Sequence, residues 1–380
     1  MRFYQLVERV FAMPAPTATY MGGLTVTYNP SSPTACWNTT LPLPACPPDG
    51  ALIKTLGGGL CGTDVEKILQ HKVPEGTVLG HEMVGEIVAL GANYHPDTTQ
   101  LDATTFAVGD RVVVAHHVPC GVCHYCINAS PSSCETFKAT NLSPGGFAEF
   151  FAISAEHLRH TCFKVPSHIA TREAACVEPL ACVLRAVRRV GAVQNGSVAV
   201  IGLGFIGLLA SQVFQQQGWQ VLGLDLNPQR LALANVAQYC QMVGHPTEHP
   251  EAWQAWVHQL PTQKVDVVCL TVVNSATVAQ ALALVRNGGT VLLMAGAGKT
   301  PMGLDSNALY YREINVVTSY SPALEDLHHS AELIMNRTVS LTPLLTHPLP
   351  ATAFTEGLEA YTKGEAIKVI FSFDDQQRLV

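Results

Sequence analysis

The 380-residue sequence is poor in charge. Asp, Glu, Lys and Arg make up 13% of it against 48% hydrophobic residues, which excludes a disordered chain and implies a large packed core. It has no block rich in Lys and Arg, and its formal net charge is -7, so nucleic acid and anionic membrane surfaces are excluded as main partners and a small-molecule substrate is expected. Long apolar runs are also missing. The longest, Val198 to Ala210, is broken by three glycines and falls short of the roughly 18 residues that a spanning helix needs. Met1 to Pro14 lacks the continuous apolar stretch of a secretory signal, because Arg2, Glu8 and Arg9 are scattered through it. The expected location is the cytoplasm.

What is present is enough chain for two domains with a cleft between them. From about residue 195, short β-branched runs alternate with helical patterns. Val198 to Gly202, Gln220 to Asp225, Gln241 to Val243, Val265 to Val272, Thr290 to Ala295 and Ile314 to Tyr320 read as six strands, with helices such as Phe205 to Gln217 and Ser275 to Leu284 between them. Six strands with crossover helices predict a doubly wound parallel sheet, hence an α/β fold. The earlier part is different: Ala51 to Thr55, Val84 to Leu90, Arg111 to Val114 and Phe147 to Ile153 are short strand-like runs punctuated by Gly, Pro and Asp, the pattern of an irregular β-rich domain. A helical stretch near Phe354 to Lys363 and a strand-like Lys368 to Phe373 are expected to close back onto it. Residues 1–50 name no element and no ligand.

Gly202, Gly204, Phe205, Ile206 and Gly207 form a G-x-G-x-x-G turn between a predicted strand and a predicted helix, where helix N–H groups can meet a pyrophosphate. Asp225 ends the next strand, where a carboxylate accepts hydrogen bonds from ribose hydroxyls. Its charge would repel a 2′-phosphate and no Arg stands within the next four residues, so NAD is favoured over NADP. Arg230, further along, reads as a helix-surface charge.

Of the twelve cysteines, Cys120, Cys123, Cys126 and Cys134 are spaced C-x2-C-x2-C-x7-C, which suits a closed, tetrahedral structural zinc rather than a disulfide framework. His124 inside the loop reads as exposed. Cys176, Cys182 and Cys269 lie in apolar runs and read as core thiols without chemistry. A second set of donors is dispersed: Cys61 in Cys-Gly-Thr-Asp, His81 and Glu82 in Gly-His-Glu, and Glu178 in Val-Glu-Pro-Leu. One thiolate, one imidazole and one or two carboxylates suit a catalytic zinc with an open position.

These stretches, in this order and together with Gly109-Asp110-Arg111-Val112, resemble the zinc-dependent medium-chain dehydrogenase family over roughly residues 50 to 375, most closely its polyol and threonine dehydrogenase branch. The resemblance implies a GroES-like catalytic domain over 1–180, with 321–380 returning to it, and a Rossmann domain over 181–320. It further implies two zinc ions per chain, NAD, a homo-oligomer (tetramer or dimer), and hydride transfer from a secondary alcohol (polyol, sugar alcohol or amino alcohol) to NAD, giving a ketone. Cys61, His81 and Glu82 or Glu178 would bind the reactive zinc, and Asp64 would orient His81. Thr63 resembles the hydroxyl that passes the substrate proton on, and Glu66 stands where the family's relay often continues to a His. His117 resembles a substrate-facing histidine, with a loop role for it and His116 equally open. Lys368 resembles a basic residue on the cofactor pyrophosphate, the competing reading being a plain surface lysine. Two other functions compete: a catalytically silent cofactor-binding sensor or subunit, and a zinc-free enone or quinone reductase, which would lack both donor sets.

Overall fold

A computed structural model describes residues 18–29, 32–96, 105–296, 298 and 302–373. Three sheets organise them. β1 (Tyr20–Asn29) and β2 (Ser32–Pro42) form an antiparallel hairpin. Its inward side chains, Met21, Leu24 and Val26, join the core of the next sheet.

That next sheet contains β3 (Ala51–Gly59), β4 (Glu82–Leu90), β5 (Arg111–Ala115), β6 (Phe150–Ile153) and β7 (Cys162–Lys164). The strands β8 (Ser197–Ile201), β9 (Gln220–Leu224), β10 (Met242–Gly244), β11 (Val265–Leu270), β12 (Val285–Leu293) and β13 (Asn315–Thr318) form an all-parallel sheet. Its order, β10-β9-β8-β11-β12-β13, is the doubly wound arrangement, which the sequence predicts from six apolar runs separated by helices. The chain then returns. β14 (His347–Pro350) and β15 (Val369–Ser372) complete the first sheet, β15 pairing antiparallel with β3.

Three buried rings hold that return in place: Phe354 and Phe371 from the C-terminal segment meet Phe147 at centroid distances of 5.9 and 5.8 Å. Burying each such side chain stabilises by about 1.5–3 kcal/mol, enough to fix a segment that the sequence separates from its sheet by some two hundred residues. The helix Val177–Val190 lies against the parallel sheet and the helix Leu324–Met335, and Arg188 grips Asp326 with two bonds of 3.1 and 2.9 Å. A cavity opens at the ends of β8 and β9, where Lys363, Gly364 and Glu365 of the C-terminal segment reach it. No helix among the described residues is long and apolar enough to cross a membrane.

Candidate active site and nucleotide cleft

The short helix Gly62–Leu69 starts at Cys61, and Asp64 in its first turn folds back onto the start: Asp64 Oδ2 accepts the Cys61 N–H at 3.2 Å. Its other oxygen lies 3.3 Å from His81 Nδ1 and accepts the Gly80 N–H at 3.4 Å. One fully buried carboxylate therefore ties the Cys61 turn to the His81 turn and fixes the imidazole's orientation. Burial would raise the Asp64 pKa, but His81 and the Cys61 N–H outweigh it and hold the group below the ordinary carboxylate value.

Glu82 opens β4 directly opposite Gly59 of β3. The donor atoms of Cys61, His81 and Glu82 lie within 4.8 Å of one another. Burial opposes protonation of His81, yet the charges of Asp64 and Cys61 dominate and lift its pKa well above normal. A soft thiolate, an imidazole and a carboxylate fit zinc. Glu178 stands outside this set, buried in the first turn of Val177–Val190, where it accepts the Cys182 thiol at 3.5 Å. Burial raises its pKa, with Glu82 adding and His81 opposing, so it shares the field of the cluster.

Lys368 is not a surface lysine. It is 4% exposed, and its Nζ lies 2.5 and 2.7 Å from the two oxygens of Glu82, with Leu60 O at 3.1 Å. The same ammonium sits 4.7 Å from the centre of the Phe205 ring, at the start of the glycine-motif helix, so it stands between the donor cluster and the nucleotide turn. Thr63 is exposed, and Glu66 lies one turn further along, half-exposed and paired to Lys72 at 2.5 Å. His116, rather than His117, packs on His81, at a ring distance of 4.8 Å; its Nδ1 is buried without a partner among the described residues. His117 Nδ1 is 2.5 Å from Thr140 O.

One residue passed over in the sequence belongs here: the Tyr361 hydroxyl would stand 2.6 Å from a Cβ added at Gly62. Tyr361 comes from a helix far along the chain, and no local spacing marks it. Cys182, read as a core thiol, donates to Glu178 at 3.5 Å, and burial pushes its pKa well above normal.

Cys120, Cys123, Cys126 and Cys134 converge as their spacing predicts, with Sγ separations of 3.5 Å (Cys123–Cys126), 3.6 Å (Cys120–Cys134) and 4.0 Å (Cys120–Cys126). Four sulfurs this close fit one tetrahedral ion. His124 is exposed beside them.

The glycine motif forms the turn between β8 and the helix Phe205–Gln216. Gly202 has φ +96°, and a Cβ at Gly207 would lie 1.9 Å from Gly202 O, so helix and strand approach only because both are glycine. Beside it opens a cavity of about 940 Å³ lined by Gly202, Asp225, Asn227, Arg230, Thr277 and Gly364, among others. Asp225 accepts the N–H groups of Leu203 and Asn227 at 2.6 and 2.7 Å, which holds its carboxylate at the cavity wall. Arg230 corrects the sequence reading: Asn227 caps the helix Pro228–Val236 and turns Arg230 into the cleft, its Nη1 3.8 Å from Asp225 and its Nη2 3.4 Å from Gly364 O.

Comparison with known proteins gives two family matches: the alcohol dehydrogenase GroES-like domain over residues 47–167 and the zinc-binding dehydrogenase domain over residues 206–336. The chain is similar to the L-threonine 3-dehydrogenase of Yersinia pestis, with 27% identity over 345 residues, covering 89% of this chain and 96% of that one. Its fold is similar to that of L-idonate 5-dehydrogenase from Escherichia coli (TM-score 0.77, 22% identity, 93% of this chain and 98% of that one). It is also similar to acetophenone reductase from Geotrichum candidum, solved in complex with NAD (TM-score 0.77, 23% identity, 95% and 100%).

Proposed function

The chain belongs to the zinc-dependent, alcohol dehydrogenase-like family of medium-chain dehydrogenases, and from that premise we propose that it oxidises a secondary alcohol, of the polyol, sugar alcohol or amino alcohol class, to a ketone with NAD as hydride acceptor. The observation that carries this reading is the convergence of Cys61, His81 and Glu82 within 4.8 Å, beside a nucleotide cavity bounded by Gly202 and Asp225. Cys61, His81 and Glu82 would hold the reactive zinc, with Glu178 behind them as a second carboxylate. Zinc supplies a Lewis acid that lowers the pKa of a bound alcohol, and NAD supplies the hydride acceptor.

The chain's own residues do the rest. Asp64 keeps the His81 ring aligned. Lys368 fixes the Glu82 carboxylate and presents its positive charge towards the pyrophosphate turn. Thr63 would relay the substrate proton, its hydroxyl accepting that proton as it gives up its own towards the cofactor ribose, and Glu66, three residues on and on the same helix face, is the carboxylate that would take it up at the end of the relay. Asp225 binds the adenosine ribose and disfavours a 2′-phosphate, a preference that Arg230 moderates. A structural zinc in the four-cysteine lobe, a homo-oligomeric assembly and a cytoplasmic location complete the proposal.

The test is spectrophotometric: NAD reduction by the zinc-loaded protein across a panel of polyols, sugar alcohols, amino alcohols and simple alcohols, with Cys61→Ala alongside. Turnover that disappears in the variant supports the reading. Turnover that survives in it refutes the assigned zinc site, and silence across the panel despite bound NAD and two zinc ions favours a sensor of the same fold.

A further inference from the structure

Outside both sites, a second cavity of about 600 Å³ opens where the two connections between the sheets pass each other. The first connection leads from β7 to β8 and supplies Ser167, His168, Arg172 and Glu173. The second leads from β13 to β14 and supplies Arg337, Ser340 and Thr342. The two are laced together: Thr342 Oγ1 donates to Glu173 Oε1 at 3.0 Å, His168 Nε2 lies 3.1 Å from Met335 O, and Arg337 Nη2 donates to His168 O.

The charges in this cavity do not balance. Among the described residues, Arg172 Nε is buried and has no hydrogen-bond partner. No carboxylate among the described residues lies within ion-pair distance of Arg172 or Arg337. Glu173, the acid in the lining, already accepts the Thr342 hydroxyl and the Ala170 N–H at 3.3 Å. Ser340 Oγ accepts the Tyr239 hydroxyl at 3.2 Å, which leaves its own proton free to donate. Two arginines on different chain segments therefore line one chamber with a donor hydroxyl and a single carboxylate, Glu173, which pairs with neither of them. A buried guanidinium N–H without an acceptor is costly, and an oxyanion satisfies it best.

We propose that this cavity is a phosphate-binding site, taking inorganic phosphate or the phosphate group of a small phosphate monoester, with Arg172 and Arg337 as its ligands and Ser340 as a hydroxyl donor. A doubly charged tetrahedral anion offers separate oxygens to both planar forks, whereas a monocarboxylate fills one. Bound there, it bridges the two connections. The cavity shares no lining residue with the nucleotide cleft, so the inference stands apart from the proposed chemistry.

The experiment is isothermal titration of the zinc-loaded full chain at constant ionic strength, with inorganic phosphate, ethyl phosphate and acetate as probes. Arg172→Gln, Arg337→Gln and a nucleotide-cleft control, Arg230→Gln, are titrated in parallel. Phosphate is expected to bind the wild-type protein, and each of the first two substitutions to weaken it about tenfold or more, as losing a charge-assisted bond does. Arg230→Gln should leave that binding unchanged. Tighter binding of ethyl phosphate than of phosphate would identify a monoester as the ligand, and the reverse the free ion. Should Arg172→Gln fail to fold, the exposed Arg337 carries the test alone. The proposal is overturned if no phosphate binds at millimolar concentration, if acetate binds as tightly, or if Arg230→Gln rather than the cavity variants abolishes binding.

Discussion

Gly59→Ala isolates the link between the first sheet and the metal donors. A Cβ at Gly59 would stand 1.8 Å from Glu82 Oε2 and 2.9 Å from Lys368 Cε. Neither side chain can swing into solvent, since their side chains are 1% and 4% exposed. The backbone cannot yield cheaply either, because Gly59 is paired with Glu82 on one side and Ile370 on the other. Relief of the clash requires the carboxylate to move by more than about 1 Å, which pulls it from Lys368 and from Cys61 and His81. Separating a buried ion pair costs about 3–5 kcal/mol, and a 1 Å misplacement of a reacting group costs on the order of a hundredfold in rate. We expect the variant to melt several degrees lower by calorimetry, to hold less than one equivalent of zinc at the Cys61 site by metal analysis, and to turn over about a hundredfold more slowly. A Gly59→Ala protein with wild-type melting, zinc content and turnover would refute the claim that β3 clamps Glu82 in place.

Four further outcomes are expected. Cys61→Ser and Cys123→Ser should each leave one zinc per chain by metal analysis, the first abolishing turnover with little change in melting and the second lowering the melting temperature; two zinc ions in either variant contradicts the ligand assignment. Asp225→Ala should raise the KM for NAD about tenfold or more, the effect of removing a charged hydrogen-bond acceptor, and narrow the preference over NADP; unchanged kinetics with both cofactors would remove Asp225 from the ribose site. Asp266 receives Arg286 at 2.6 Å and the Ser197 N–H and hydroxyl at 2.8 Å. Burial alone would raise its pKa, but these donors hold it below normal. A depressed folded-state pKa stabilises the fold above the unfolded value of about 3.9 and ceases to do so as pH falls through the folded value; the stability gap between wild type and Asp266→Asn should therefore be full at neutral pH and close below about pH 4, and a gap independent of pH counts against it. Glu66→Gln should slow turnover while leaving the KM for NAD unchanged, and equal kcat values across the pH range would exclude Glu66 from the proton path.

Local patterns in the sequence carried much of this. The C-x2-C-x2-C-x7-C spacing brings four sulfurs together because a loop of fifteen residues can wrap one point. The G-x-G-x-x-G turn reads correctly because strand, turn and helix are adjacent in the chain. Asp64 beside His81 is expected only from the family resemblance, whereas the six parallel strands follow from apolar runs of strand length separated by helical periods. These determinants are short-range, and so they are legible in order.

Only the tertiary structure decided the rest. That Lys368 pairs with Glu82 depends on β15 returning to β3, a pairing between segments about three hundred residues apart. That Arg230 turns into the cleft depends on the rotation of its helix, set by the Asn227 cap, and on Gly364 arriving from the C-terminal segment. Cys182 meets Glu178 one helical turn away, but that this face of the helix points at the metal donors is fixed by how the helix packs. The sequence alone determined which donors exist and which fold can carry them; folding decided which of those charges neutralise one another, because the energy of a buried charge depends on what long-range packing places beside it.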